Sequence, residues 1–171
     1  MTDIVFRQLV SADLGGLLHY LHHLSNETKS RFGPHPFDKD FVIHFYNAND
    51  VTGYIAEHKI SNAVIAYAVV KKGILPHDTE RLLNYHYPNI ENNCCTYAPS
   101  VADEWQGKGI GKLMFLYIVN DCKNKGINRI ILWGGVQTAN ERAVNFYKKL
   151  GFVTLGNFEY NGSNEDMLLE L

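Results

Sequence analysis

Cysteine is scarce: three residues, two of them adjacent at Cys94 and Cys95, cannot make a disulfide framework and lack the C-x-x-C spacing of a structural zinc site. They read as small buried apolar residues in a reducing compartment. No apolar run approaches the roughly 18 residues that a membrane-spanning helix needs. The chain also enters an alternating pattern straight after Asp3, with no basic-then-apolar leader. A cytoplasmic protein with no membrane partner is the expectation. An excess of one charge is missing too. The formal net charge is −2 and no basic block appears, which argues against a protein that must neutralise a nucleic-acid backbone. Repeats and low-complexity segments are absent, so 171 residues of ordinary composition suit one domain, 1–171, around one core. A metal is not expected either. His19, His22 and His23 ride on one predicted helix, but no carboxylate or cysteine nearby would complete a ligand set.

What the chain does have is glycine in one concentrated place. Gln106-Gly107-Lys108-Gly109-Ile110-Gly111 sets three glycines in five positions, and Ile110, Leu113, Met114, Tyr117 and Ile118 then recur at helical spacing. A helix N-terminus bared by glycine offers unpaired N–H groups and the positive end of the macrodipole, a natural seat for phosphate or pyrophosphate. A P-loop is excluded because Lys112 stands where its second glycine belongs, followed by Leu113 and Met114. The dinucleotide fingerprint fails because it needs a glycine at 112 and a place in a first βαβ unit. About thirty residues on, Thr138-Ala139-Asn140-Glu141 reads as a capping box, with Ala143, Val144, Phe146, Tyr147 and Leu150 on one stripe and Gly151 as the stop.

The pattern Gln/Arg-x-x-Gly-x-Gly/Ala is filled by Gln106, Gly109 and Gly111, and this segment resembles the acetyl-CoA pyrophosphate loop of the GNAT N-acetyltransferase superfamily. Asn140 to Phe152 is similar to that family's second signature, N-x-x-A-x-x-x-Y-x-x-x-G-F. The resemblance implies an α/β fold with a mixed, mostly antiparallel sheet, helices on both faces, and a fourth strand splayed from the fifth. It implies acetyl-CoA as cosubstrate, held by Gln106, Gly107, Lys108, Gly109, Ile110 and Gly111, with a main-chain contact from Val101 and the pantetheine arm near Asn140. It also implies direct attack by a primary amine, with Tyr147 as the acid that protonates the departing thiolate. On the residues alone, Tyr147 equally fits the apolar stripe of its helix, and Asn140 equally fits a cap.

Along the chain, Ile4–Arg7 is an expected strand, and Ser11-Ala12-Asp13 opens a helix with Leu14, Leu17, Leu18, Leu21 and Leu24 inward. Asn26 to Asp50 is less regular: Arg31, His35 and nearby aromatics would line a substrate mouth, or Phe32 and Phe37 are core plugs. Thr52–Lys59 and Asn62–Lys71 read as strands joined at Ile60-Ser61, the second apolar enough for a sheet centre. Lys72 to Asn93 is a long connection with Pro76-His77-Asp78 capping a helix through Leu82, Leu83 and Tyr85. Such length points to function, here a cover for the acceptor pocket or a homodimer interface. Cys94–Val101 is the fourth strand, interrupted in its pairing by Pro99. Arg129–Trp133 follows, and a terminal pair turns at Asn161-Gly162.

The general base is not legible. Many relatives carry a glutamate on the fourth strand, whereas positions 94 to 97 are Cys, Cys, Thr and Tyr. Glu57, His35, His77, His86 and Tyr97 are the candidates, while Asp103 and Glu104 are placed to shape the loop. The resemblance implies an acyl-CoA N-acetyltransferase. Its rivals are transfer of another short acyl group, transfer to a hydroxyl, and a catalytically silent acyl-CoA-binding module.

Overall fold

The computed structural model describes Asp3–Leu171. Its strands are β1 (Ile4–Gln8), β2 (Val51–His58), β3 (Ala63–Lys72), β4 (Cys94–Val101), β5 (Arg129–Leu132), β6 (Val136–Gln137), β7 (Val153–Glu159) and β8 (Ser163–Glu170). Its helices are α1 (Leu14–His23), α2 (Asn26–Arg31), α3 (Lys39–Phe45), α4 (Thr79–Leu83), α5 (Ile110–Asn124) and α6 (Glu141–Lys149). Hydrogen-bonded strand order is β1-β2-β3-β4-β5-β8-β6, with β7 on β8. The β4–β5 pair is parallel, whereas β1–β2, β5–β8, β6–β8 and β7–β8 are antiparallel. This is the expected mixed, mostly antiparallel α/β architecture. The β4–β5 register ends at Tyr97 opposite Leu132, while β4 itself runs on to Val101.

Two compact units divide the chain, Met1–Val70 with Ala98–Val119, and Lys71–Tyr97 with Asn120–Leu171. In the first, Ile65 to Val70 are buried without a break, so this stretch of β3 is covered on both faces as its unbroken apolar run requires. Helix α1 buries Leu17, Tyr20 and Leu21. The stretch after it is more ordered than its sequence suggests, because two caps start short helices. The Ser25 side chain accepts from Thr28 N, and the Asp38 side chain accepts from Phe41 N. Phe32 is a core residue.

In the second unit the capping box reading needs correcting. Asn140 rather than Thr138 caps α6, accepting from Ala143 N, while the Thr138 hydroxyl donates to the Ser163 carbonyl. Asp78 likewise makes no side-chain cap for α4. The long connection also departs from expectation. Leu82 and Ile90 are buried in one cluster with Cys94, Ile131 and Leu168, against which Ile74, Tyr85, Tyr87 and Leu155 pack. Its apolar stripe is therefore covered by β5, β7 and β8 of the same chain, and only Leu83 is left exposed. Neither an acceptor lid nor a subunit interface is needed to satisfy it.

An ion pair between buried carboxylates and the half-buried Arg81 fastens the connection to β8. Arg81 donates from Nε to Asp166 at 2.7 Å and from Nη2 to Asp78 at 2.7 Å, and Tyr85 donates its hydroxyl to Asp166 at 3.0 Å. The guanidinium also lies 3.7 Å above the centre of the Phe158 ring. A side chain at Gly156 would collide with the Tyr85 ring, so the glycine is what lets that ring lie on β7. Asp166 is 1% exposed, and Asp166→Ala would leave Arg81 and Tyr85 short of their shared acceptor. The expected loss of stability is about 3 kcal/mol, the scale for breaking one side of a buried pair. Urea unfolding of both proteins checks it, and an unchanged midpoint would dismiss the pair as an anchor.

Candidate coenzyme-binding site

The glycine loop is built from the end of β4 forward. Ala102 N donates to Ile65 O at 2.9 Å, fixing the strand end before a 3-10 turn over Asp103–Trp105. Gly107 and Gly109 then take φ of +74° and +82°, a region that an L side chain resists, and this sharp reversal aims the chain into α5. Nothing lies within 4 Å of where a Gly109 Cβ would stand, so the loop presents bare, open backbone there. The first α-helical bond runs from Leu113 N to Gly109 O at 3.1 Å. The N–H groups of Ile110, Gly111 and Lys112 precede it and gain no partner from the helix, which is the condition for anion binding. Ile110 is buried, so its side chain anchors the helix start while only its backbone is available to a ligand.

The loop is braced by side chains that face inward. Gln106 Nε2 donates to the Val101 carbonyl at 3.1 Å, so two predicted coenzyme residues hold one another. Asp103 is the hub. It accepts from Ser25 N at 2.9 Å, Ser25 Oγ at 2.8 Å, Thr28 Oγ1 at 2.7 Å and Gln106 Nε2 at 3.4 Å. Burial pushes its carboxyl up, but the Thr28 and Ser25 bonds outweigh that and hold it below the usual carboxylate range. The loop and the α1–α2 corner are thus tied through one carboxylate. The Ser25-x-x-Thr28 spacing announces a helix cap. Nothing in the linear sequence announces that Thr28 meets a residue 75 positions away. Lys108 extends its ammonium 5.1 Å from the Trp105 ring centre, at a groove of about 240 Å³ that His58, Asp3, Ile4 and Ile110 also line.

Asn140 and Tyr147 belong to α6. The Asn140 carboxamide oxygen accepts from Ala143 N at 3.3 Å, so the side chain serves as the cap of α6. Tyr147 packs its ring edge-to-face against Phe146 and Phe152, each 5.4 Å away between centres, and belongs to the buried stripe. Burial alone pushes its phenol well above the ordinary range; no charge or hydrogen bond contributes.

The candidate bases separate. Glu57 accepts from Arg7 at 3.0 Å and 2.5 Å, in a group that also holds Asp13, so it is committed to an ion pair. His77 and His86 are exposed. Tyr97 is buried and its phenol is pushed well up by that burial. His35 is buried, its Nδ1 2.8 Å from the Pro36 carbonyl and its Nε2 2.7 Å from the Tyr67 hydroxyl. All three cysteines are free and buried, and Cys95 and Cys122 approach to 4.0 Å between sulfurs. Among the described residues no cluster could hold a metal ion, and no helix is long and apolar enough to cross a membrane.

Comparison with known proteins agrees with this geometry. The model of the acetyltransferase (GNAT) family matches residues 18–152. The GNAT domain of S. lividans PAT superposes with a TM-score of 0.74 at 21% identity, covering 97% of this chain and 89% of that one, which shows a shared fold. An uncharacterized N-acetyltransferase of Gracilaria tenuistipitata var. liui is 39% identical over 51 residues, 30% of this chain and 25% of its own length. Mycothiol acetyltransferase of Rhodococcus jostii (strain RHA1) is 27% identical over 82 residues, 44% of this chain and 26% of its own. The chain spans about a quarter of the length of these curated relatives. With four-fifths of its length inside the family match and both glycine-loop and α6 signatures in place, the chain belongs to the GNAT acetyltransferase family.

Proposed function

We propose that residues 1–171 form one acetyltransferase domain that moves the acetyl group of acetyl-CoA to a primary amine by direct attack. The observation that carries this reading is the open N-terminus of α5, reached through two positive-φ glycines and braced by Gln106 on Val101. The family match takes in residues of both compact units, which supports a single working domain. Free, buried thiols suit a cytoplasmic setting.

The chemistry follows from the parts. Backbone N–H groups of the loop take the pyrophosphate, and the Asn140 NH2 group takes a pantetheine carbonyl. The amine forms a C–N bond to the acetyl carbon, the C–S bond breaks, and the amine proton leaves to a base. Tyr147 gives its proton to the thiolate and is reprotonated by solvent. Because burial raises its pKa, the phenol is neutral at pH 7 and full transfer to a thiolate of pKa about 8.5 is uphill. Donation must therefore accompany C–S cleavage, when charge builds on sulfur. Thiol release from acetyl-CoA across a panel of primary amines tests the function. Acetyl-CoA binding without amine-dependent release would favour a silent binding module.

Gly109→Asp should weaken acetyl-CoA binding by about 3 kcal/mol or more. It puts a strained φ and a negative charge at the anion seat, although the Cβ itself has room. Titration calorimetry giving near-normal affinity in the folded variant would remove the loop from the site.

Asp103→Asn should raise the acetyl-CoA Kd by about tenfold and speed amide exchange over Ser25–Arg31, since an amide oxygen can stand in for Oδ1, which takes the Ser25, Thr28 and Gln106 side chains, but its NH2 group cannot accept from Ser25 N as Oδ2 does. Unchanged affinity and exchange would show that the loop holds its shape without this hub.

Tyr147→Phe keeps the ring packing and deletes only the hydroxyl. Turnover at saturating acetyl-CoA should fall by about 10²-fold with affinity within a few-fold of wild type. A folded variant retaining more than half the rate would take Tyr147 out of the mechanism.

A further inference from the structure

The mechanism above leaves the amine proton without a destination, and one buried set of groups in the first compact unit is arranged to receive it. His35 Nδ1 meets the Pro36 carbonyl, which only accepts, so Nδ1 carries the hydrogen and Nε2 of the neutral ring is an acceptor. Its partner is the Tyr67 hydroxyl, which therefore donates to Nε2. The one proton of Tyr67 is then committed, and its bond with the Tyr46 hydroxyl must be donated by Tyr46. The chain has a single direction. Tyr67 is fully buried on β3 and His35 is 6% exposed, whereas Tyr46, just past α3, is half-buried, with its hydroxyl packed over the Gly53 backbone and its phenol pushed up by burial.

We propose that Tyr46, Tyr67 and His35 form a proton relay that removes the acceptor amine's proton, with His35 Nε2 as its terminus. The inference rests on the acetyltransferase reading. When the amine has attacked the thioester, its ammonium proton passes to the Tyr46 oxygen. The Tyr46 proton passes to Tyr67, and the Tyr67 proton passes to Nε2. His35 becomes an imidazolium that still donates from Nδ1 to Pro36, and no bond to carbon changes in the relay. After product leaves, the proton returns along the chain to solvent.

Three features support a proton path over a simple structural pin. The backbone of Tyr67 adjoins the end of β4, next to the Val101 proposed to contact the coenzyme, because Ser100 of β4 donates to the Tyr67 carbonyl at 3.4 Å and accepts from Tyr20 at 2.9 Å. It supplies what β4 lacks, since Cys94 to Tyr97 contain no carboxylate. Its terminus is also kept neutral by its surroundings. Among the described residues Tyr67 of β3 is the titratable group that meets His35, Tyr46 and Tyr20 act on Tyr67 in turn, and the rings of Phe37, Phe41 and Phe45 pack around the imidazole. Burial lowers the imidazole pKa below its ordinary value, the Pro36 carbonyl partly offsets this, and no charged side chain contributes. Above that lowered pKa the ring can accept a proton; below it the ring is already protonated and the relay is blocked.

The test is Tyr46→Phe, which removes the entry oxygen and keeps the ring, assayed with whichever amine of an alkyl and aryl panel gives the fastest wild-type thiol release. The relay requires kcat to fall by about 10²-fold at unchanged acetyl-CoA affinity. It also requires the acid limb of the wild-type pH profile, set by His35 below the ordinary imidazole range, to be replaced by a steady rise with pH as hydroxide takes the proton. A variant with more than half the rate, or a slower variant with the wild-type pH profile, overturns the relay and leaves the acetyltransferase reading standing. Wild-type protein that binds acetyl-CoA and turns over no amine overturns both. If Tyr46→Phe does not fold, nitrogen-15 NMR of wild-type His35 decides. An Nδ1–H tautomer with an unprotonated Nε2 is required, and an Nε2–H tautomer overturns the direction of the chain.

Discussion

One carboxylate sets the geometry on which the glycine loop, the candidate coenzyme site, depends. The glycine loop has few side chains of its own with which to hold a shape, and bare backbone with positive φ is conformationally expensive to order. Asp103 meets that cost from outside the loop. It gathers a backbone N–H and three side-chain donors from Ser25, Thr28 and Gln106, and Gln106 in turn braces the end of β4. The proposed anion seat is therefore braced by polar groups around it, while the backbone at Gly109 stays open. The same bonds make the α1–α2 corner and the loop one mechanical piece, so a ligand that orders either will be felt by the other.

The long connection between β3 and β4 solves a different problem. Its apolar stripe would be a liability on an exposed surface, and it is instead absorbed into the core formed with β5 and β8. Arg81 between Asp78 and Asp166 adds little net stability over an apolar packing of the same shape, but it is intolerant of losing one partner. Its value is in registering the connection, since the guanidinium fits only where both carboxylates and the Phe158 face converge.

Two phenols carry opposite assignments under the proposed mechanism. Tyr147 is raised by burial alone and stands ready to give a proton when a thiolate forms, whereas Tyr46 is fixed by its neighbours as a donor into a chain and can only pass one on. Distinguishing acid from relay in this way needs no charged group at either end. That fits a site where carboxylates are engaged elsewhere, Glu57 and Asp13 by Arg7, and Asp103 by the loop.

Much of this was legible in the chain. The glycine loop, β4 over Cys94–Val101, the apolar β3 and the turn at Asn161-Gly162 follow from local rules, because backbone conformation and periodicity are set by neighbours a few residues apart. Local rules also misplaced one cap by two residues. Thr138 and Asn140 are both good cap formers, and the choice between them was made by the Ser163 carbonyl, which engages Thr138 from a distant strand. What covers the long connection, what Asp103 holds, and which way the Tyr46–Tyr67–His35 chain runs were decided only by folding. Each joins residues tens of positions apart, and a carboxylate or imidazole carries no mark in the sequence of the partner that will fix its proton.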